Sequence, residues 1–137
     1  MSLNQYLNSQ NADVAFISET KTSNCQNFAN YITEHKANQL NSRQGGVALL
    51  VKKSLSHERL TWLEDDTVDA LFSVVTVPGH RILVCSVYIP PSASRTLQKF
   101  LLLADKAMSE LGNLKCNSMA IIGDLNARHA NWGDQAV

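Results

Sequence analysis

Leu71-Phe-Ser-Val-Val-Thr-Val-Pro-Gly-His-Arg-Ile-Leu-Val-Cys-Ser-Val-Tyr-Ile89 decides the fold class. Two runs rich in Val, Leu, Ile and Phe flank Pro78-Gly79-His80, which reads as a turn, so the stretch is a β-hairpin. Alternate side chains of a strand face opposite sides. Leu83, Cys85 and Val87 point one way; Ile82, Val84 and Tyr88 point the other. A sheet apolar on both faces must be covered on both, so further layers lie on either side of this hairpin.

Downstream, Pro90-Pro91 ends the second strand, because proline cannot donate to the ladder. Ser94 is the candidate N-cap of the longest helix. Leu97, Phe100, Leu101, Ala104, Met108 and Leu111 form its core stripe, and Gly112 reads as its C-terminal stop. Met119 to Ile122 then runs without polar alternation, as a buried strand does. Gly123 lets the backbone leave the sheet, and Asp124 and Asn126 follow. A carboxylate is costly to bury unpaired, so Asp124 suggests a cation, a base or an Asx-turn capping the strand. The Asx-turn is the plainest reading of this stretch by itself.

Upstream, Leu3, Tyr6 and Leu7 have the spacing of a short amphipathic helix. Val14 to Ile17 reads as a buried strand, and Glu19 follows it after one small residue, as Asp124 follows Ile122. Asn24 to Ile32 predicts a second short helix, with Phe28, Tyr31 and Ile32 on one side. Asn38 to Gln44 is a loop or an edge strand. Gly45-Gly46 precedes a clear buried strand, Val47 to Val51, and Leu55 to Leu60 suggests a weaker one. Glu64-Asp65-Asp66 reads as a solvated loop, and His35, His57 and His80 as surface residues. The order predicts an α+β chain with helices outside a sheet layer.

Composition narrows the function classes. A chain of 137 residues is one domain or a piece of one. Its 12 basic and 12 acidic residues cancel, which excludes a histone-like binder but not an enzyme that touches phosphates locally. Cys25, Cys85 and Cys116 are far apart and form no CxxC pair, which argues against zinc and for a reducing, intracellular setting. Met1 to Gln10 has no apolar signal core, and no run approaches the ~18 apolar residues of a membrane span.

Three strands therefore end in polar groups: Glu19, Tyr88, and Asp124 with Asn126 just beyond. Strand ends on one side of a layered fold are where sites assemble. Two carboxylates, an amide and a phenol, with no His or Cys cluster, suit a hard cation such as Mg²⁺ (or Mn²⁺) and metal-assisted phosphate-ester hydrolysis. Three unrelated, solvent-exposed strand ends remain the alternative on these residues alone.

Four segments occur in one order: Ile17-Ser-Glu-Thr-Lys21, Gly45-Gly-Val-Ala-Leu-Leu-Val51, Val87-Tyr-Ile-Pro-Pro91 and Gly123-Asp-Leu-Asn-Ala-Arg-His-Ala-Asn-Trp-Gly133. Together they resemble the endonuclease/exonuclease/phosphatase family, most of all the endonucleases of jockey-type non-LTR retrotransposons. The resemblance covers nearly all of residues 1–137. It implies a partial four-layer α/β/β/α sandwich, two sheets face to face with helices outside. It implies that Glu19 is metal-binding, that Tyr88 contacts the scissile phosphate, and that Asp124 and Asn126 orient or deprotonate the attacking water and hold the phosphate. It implies DNA as the partner, a fused reverse transcriptase in the full-length protein, and a nuclear place of action for that parent. Arg128 reads as a solvated residue able to reach a DNA phosphate, and Trp132 as packing. His129 does not match the family's catalytic histidine, which belongs to a later Ser-Asp-His motif.

The matched region is an internal stretch of the family's domain. A first strand ending in a metal-binding asparagine, and the later Ser-Asp-His motif, are not in this sequence. The expectation is an inactive chain with an exposed apolar sheet face. Another phosphodiesterase or phosphatase of the same fold is the first alternative, and a non-catalytic remnant or interaction module the second.

Overall fold

The computed structural model describes residues 1–126. Arg128, His129 and Trp132 lie outside the described residues. Two sheets, one antiparallel and one mixed, form the centre. The first contains β1 (Val14–Ser18), β2 (Tyr31–Lys36) and β3 (Val47–Lys52), in the order β1-β3-β2. The second contains β4 (Ser56–Arg59), β5 (Asp69–Val77), β6 (His80–Tyr88) and β7 (Ser118–Asp124), in sequence order, with β7 parallel to β6. Helix α1 (Leu3–Gln10) covers the outer face of the first sheet, and α2 (Ser94–Ser109) that of the second.

The alternation read from the hairpin builds these layers. Leu83, Cys85 and Val87 pack with Phe72, Val74, Phe100, Ala104 and Ala107 beneath α2. Val84 and partly buried Ile82 and Tyr88 face inward, meeting Val47, Leu49 and Val51 of β3 and Leu71 and Val75 of β5. A third cluster, Leu7, Phe28, Tyr31 and Leu50, joins α1 to the first sheet. Every β3 residue from Val47 to Val51 is fully buried, as a central strand covered on both faces must be. Apolar packing between the sheets is interrupted by a polar knot. Ser73 donates to Glu34 at 3.0 Å, His57 meets the same carboxylate oxygen, and Ser86 donates to the Ala48 carbonyl at 3.1 Å.

Several expectations change. Asn24 to Ile32 is not helical; residues from Tyr31 onward form β2, which pairs with β3. The asparagines of this stretch are poor helix formers, Asn30 takes a left-handed turn (φ 70°), and the β-prone Tyr-Ile-Thr run gains a ladder. The Tyr31 hydroxyl then donates to the Ala12 carbonyl at 2.5 Å. Ser94 is the first helical residue and Ala93 the cap, because Leu97 N–H already donates to the Ala93 carbonyl. Helix α2 stops three residues before Gly112, and Lys115 (φ 57°) takes the left-handed position instead. The buried stripe is Phe100, Ala104 and Ala107, while Leu101 and Met108 are exposed. His80 belongs to β6 and is exposed, so the hairpin turn is the pair Pro78-Gly79. His57 and His35 are partly buried rather than superficial.

Of the four edge strands, β1 and β7 are less buried than an uninterrupted apolar run suggests. Each has a neighbour on one side only among the described residues, and Ile121 and Ile122 are exposed at 40% and 46%. Ile121 and Ile122 point to opposite faces, so what is open along β7 is a strand edge and not one apolar sheet face.

Gly123 fixes how β7 meets β6. A Cβ at this position would sit 1.8 Å from the Val87 carbonyl oxygen. Gly123→Ala is expected to cost more than about 2 kcal/mol in urea unfolding and to expose the Ile89 amide, which donates to the Asp124 carbonyl, to hydrogen exchange. A variant within about 0.5 kcal/mol of the parent would contradict this packing.

Candidate functional site

Tyr88 and Asp124 are register partners at the carboxyl ends of parallel β6 and β7, and both side chains leave on the inner face. Glu19 arrives from the other sheet. It is the first residue past β1, in the left-handed region (φ 54°), as is Lys21 (φ 54°). Such a backbone is unusual outside glycine and needs external support. The support comes from Gly45 and Gly46: Thr20 N–H donates to the Gly46 carbonyl at 3.2 Å and Lys21 N–H to that of Gly45 at 2.8 Å. His35 is hydrogen-bonded to the Thr20 hydroxyl at 2.9 Å, fastening the same strap to β2.

A cleft of about 240 Å³ opens between the sheets here, lined by Glu19, Lys21, Asn38, Arg43, Gly45 and Tyr88 among others. Glu19 and Tyr88 thus share one cleft. Asp124 is exposed beside Tyr88 and does not line it. Its Oδ1 accepts the Asn126 N–H at 2.9 Å, which is the Asx-turn expected of this strand end. Asn126 (φ 46°) turns its amide onto the Ile89 carbonyl at 2.7 Å and lines a second, smaller cleft beyond Pro90. Of the four sequence-derived residues, Glu19 and Asp124 therefore gather around Tyr88, while Asn126 lines the second cleft.

Two residues at the base of the site were not singled out from sequence. Asp69 opens β5, pairs in register with Tyr88 and is 4% exposed. Its carboxylate accepts the Gly46 N–H at 3.0 Å and the Asn38 side-chain amide at 3.0 Å. A Cβ on Gly45 would lie 2.3 Å from Asp69 Oδ2, so the glycine is what lets the carboxylate approach. Lys36, equally buried, donates to the Val68 and Asp65 carbonyls at 2.7 and 3.0 Å and holds the segment that delivers Asp69. Burial pushes its ammonium below the ordinary lysine range, and Asp69, Glu64, Asp66 and Asp65 oppose that shift. Nothing in apolar periodicity separates Asp69 from the neighbouring acidic run. Within that run, Glu64 pairs with Arg59 through two hydrogen bonds at 2.7 and 2.9 Å, and Asp65 caps Thr67. Hydrogen bonds from Thr67 hold the Asp65 carboxyl below its usual range.

The Tyr88 phenol is held above the ordinary tyrosine range. Loss of water raises it most; the neighbouring Glu19, Asp124 and Asp69 carboxylates add to the shift. A phenol so placed stays a protonated donor through neutral pH. Among the described residues no group of three His, Cys, Asp or Glu converges as a ready metal cage. The Asp69 carboxylate is occupied by Gly46 and Asn38, and one oxygen of Asp124 by Asn126. Glu19, exposed and 3.8 Å from Lys21 in a weak surface pair, is the freer carboxylate.

The endonuclease/exonuclease/phosphatase family profile matches residues 2–136. The chain belongs to this family. It is 27% identical over 135 residues to the RNA-directed DNA polymerase from mobile element jockey of Drosophila funebris, covering 96% of this chain. To the protein of the same name from Drosophila melanogaster it is 29% identical over 133 residues, covering 94%. The chain spans only 14% and 13% of the lengths of these two relatives. Among solved structures it superposes on the endonuclease domain of TRAS1, a telomere-specific non-LTR retrotransposon, with a TM-score of 0.71 at 16% identity, covering 94% of this chain and 53% of that one. It also superposes on D. rerio TDP2 complexed with single strand DNA product, with a TM-score of 0.60 at 17% identity, covering 96% and 54%. The α+β class and sandwich architecture expected from the sequence are those of this family.

The electrostatic coupling at the site is directly testable. Glu19→Gln removes a carboxylate from the Tyr88 phenol, so its pKa is expected to fall back part of the way toward the ordinary value of about 10, read by carbon-13 NMR of the ring. The raised pKa also means that stability from Tyr88 is full below that ordinary value and is lost as pH rises through the folded-state value. A Tyr88 titration unchanged by Glu19→Gln would separate the two groups.

Proposed function

We propose that this chain carries the phosphate-handling part of a Mg²⁺-dependent DNA endonuclease, which hydrolyses a phosphodiester bond to nick target DNA for retrotransposition. The observation that carries this reading is the juxtaposition of Tyr88 with Asp124 across parallel strands and with Glu19 across a shared cleft. Membership of the family and the jockey relatives support it.

The roles are those the family resemblance implies, and the geometry supports them in part. Tyr88, kept protonated, donates to a non-bridging phosphate oxygen as charge builds there. The Asp124 oxygen not engaged with Asn126 N–H is available to orient or deprotonate a water. The Asn126 amide is engaged with the Ile89 carbonyl beside the second cleft, so its second N–H would reach a phosphate at Tyr88 only after the side chain turns back toward β6. Glu19 would hold the divalent ion. The donors fit Mg²⁺, which takes one or two carboxylates and keeps water and substrate phosphate as its other ligands. When bound, it supplies charge neutralisation at the phosphorus. Among the described residues no histidine lines the cleft, and Asp124 is the group we assign to take the water's proton; the chain by itself is expected to be slow or inactive. The parent protein we infer joins this nuclease to a reverse transcriptase and acts on nuclear DNA. No helix of the described residues is long and apolar enough to cross a membrane.

Calorimetry and a plasmid assay test the proposal together. Weak Mg²⁺ binding is expected, lost in Glu19→Ala, with no Mg²⁺-dependent nicking of supercoiled DNA by the chain. No heat of binding at millimolar metal would overturn the site. Nicking lost in both Glu19→Ala and Asp124→Ala would confirm the site and overturn the inactivity. Release of inorganic phosphate from a small phosphoester would redirect the assignment to a phosphatase.

A further inference from the structure

Arg43 stands apart from most of the basic side chains described. Arg59 is consumed by Glu64 and the His35 carbonyl, and Arg81 by the Leu114 carbonyl and Thr76. Arg43 is exposed, has no ion-pair or side-chain hydrogen-bond partner among the described residues, and lines the cleft shared by Glu19 and Tyr88.

The loop that carries it is pre-shaped. Asn38 Oδ1 accepts the N–H groups of Leu40 and Asn41 at 3.1 and 2.9 Å, and Asn41 Oδ1 accepts that of Arg43 at 3.0 Å. Gln44 N–H closes onto the Asn41 carbonyl at 3.0 Å. Asn38 in turn is anchored to buried Asp69. Leu40 is 88% exposed, so this conformation is held by Asx-turns and the Asp69 anchor, not by apolar burial. A loop of this kind, tied into the interior at both ends, loses little freedom when a ligand binds.

We propose that Arg43 is a strand-positioning residue, gripping a phosphate of the DNA backbone that flanks the one held at Glu19 and Tyr88. The guanidinium offers a planar pair of donors matched to two phosphate oxygens. The inference rests on the proposed phosphodiester substrate. It also answers a difficulty of that reading: the chain has no net charge, so affinity for a polyanion must come from local contacts. Arg43 lines the same cleft as Glu19, where Lys21 is the other cation among the described lining residues.

The test measures binding of a fluorescein-labelled DNA duplex by anisotropy, in EDTA so that neither metal nor cleavage contributes, across a range of KCl. Arg43→Ala is expected to weaken binding about tenfold or more and to reduce the slope of log K against log salt by about one. Arg43→Lys keeps the charge and is expected to retain the slope with a smaller loss of affinity. Lys53→Ala removes the same charge from an exposed side chain at the opposite end of β3 and is expected to leave both quantities near the parent values. Equal effects of Arg43→Ala and Lys53→Ala, or none from Arg43→Ala, would overturn the proposal while leaving the nuclease reading standing. A parent chain that binds no duplex at any salt would overturn both.

Discussion

The buried carboxylate of Asp69 is the constraint on which the site depends. It accepts one hydrogen bond from the Gly46 backbone and one from the Asn38 side chain, and it sits in register with Tyr88. Through Gly46 and Gly45 it fixes the strap that carries Glu19; through Asn38 it fixes the loop that carries Arg43. A buried acceptor of this kind is costly to leave unmatched, so the two sheets are held in one relation at this end. Elsewhere the sheets meet through apolar packing and through the polar knot of Ser73 and His57 on Glu34 and Ser86 on the Ala48 carbonyl.

Electrostatics follow from that arrangement. Three carboxylates gather around one phenol, which keeps its proton and stays a donor. Lys21 and Arg43 stand on the same cleft as Glu19. An anionic ester approaching such a site meets hydrogen-bond donors and cations next to carboxylates free to take a metal or a water proton. Backbone geometry supplies part of the placement: Glu19, Lys21 and Asn126 occupy left-handed conformations held by hydrogen bonds from neighbouring segments.

The layers were legible because period-two alternation in Leu71 to Ile89, with both sets apolar, leaves few other arrangements. The central strand at Val47 to Val51 was equally plain. Tyr31 to Lys36 was not, because its outward and inward residues mix Glu, His and Lys with β-formers, and pairing with β3 rather than local pattern makes it a strand. Edge position could not be read either: Met119 to Ile122 has the composition of a buried strand, yet only one neighbour pairs with it among the described residues. At the site, Glu19, Tyr88 and Asp124 were visible as polar groups at strand ends. Asp69, Lys36 and His35 were not, since their importance comes from burial against distant segments. Asp124 and Asn126 also form the plain Asx-turn, so the local and the functional readings of that stretch coexist.

The most direct measurement is a crystal structure of the chain with Mn²⁺ and a short phosphorothioate oligonucleotide, with the metal located by its anomalous signal. The account predicts one Mn²⁺ on the Glu19 carboxylate and a backbone phosphate against the Tyr88 hydroxyl, beside Asp124. Metal bound instead at the Glu64-Asp65-Asp66 segment, or a phosphate seated away from Tyr88, would contradict it.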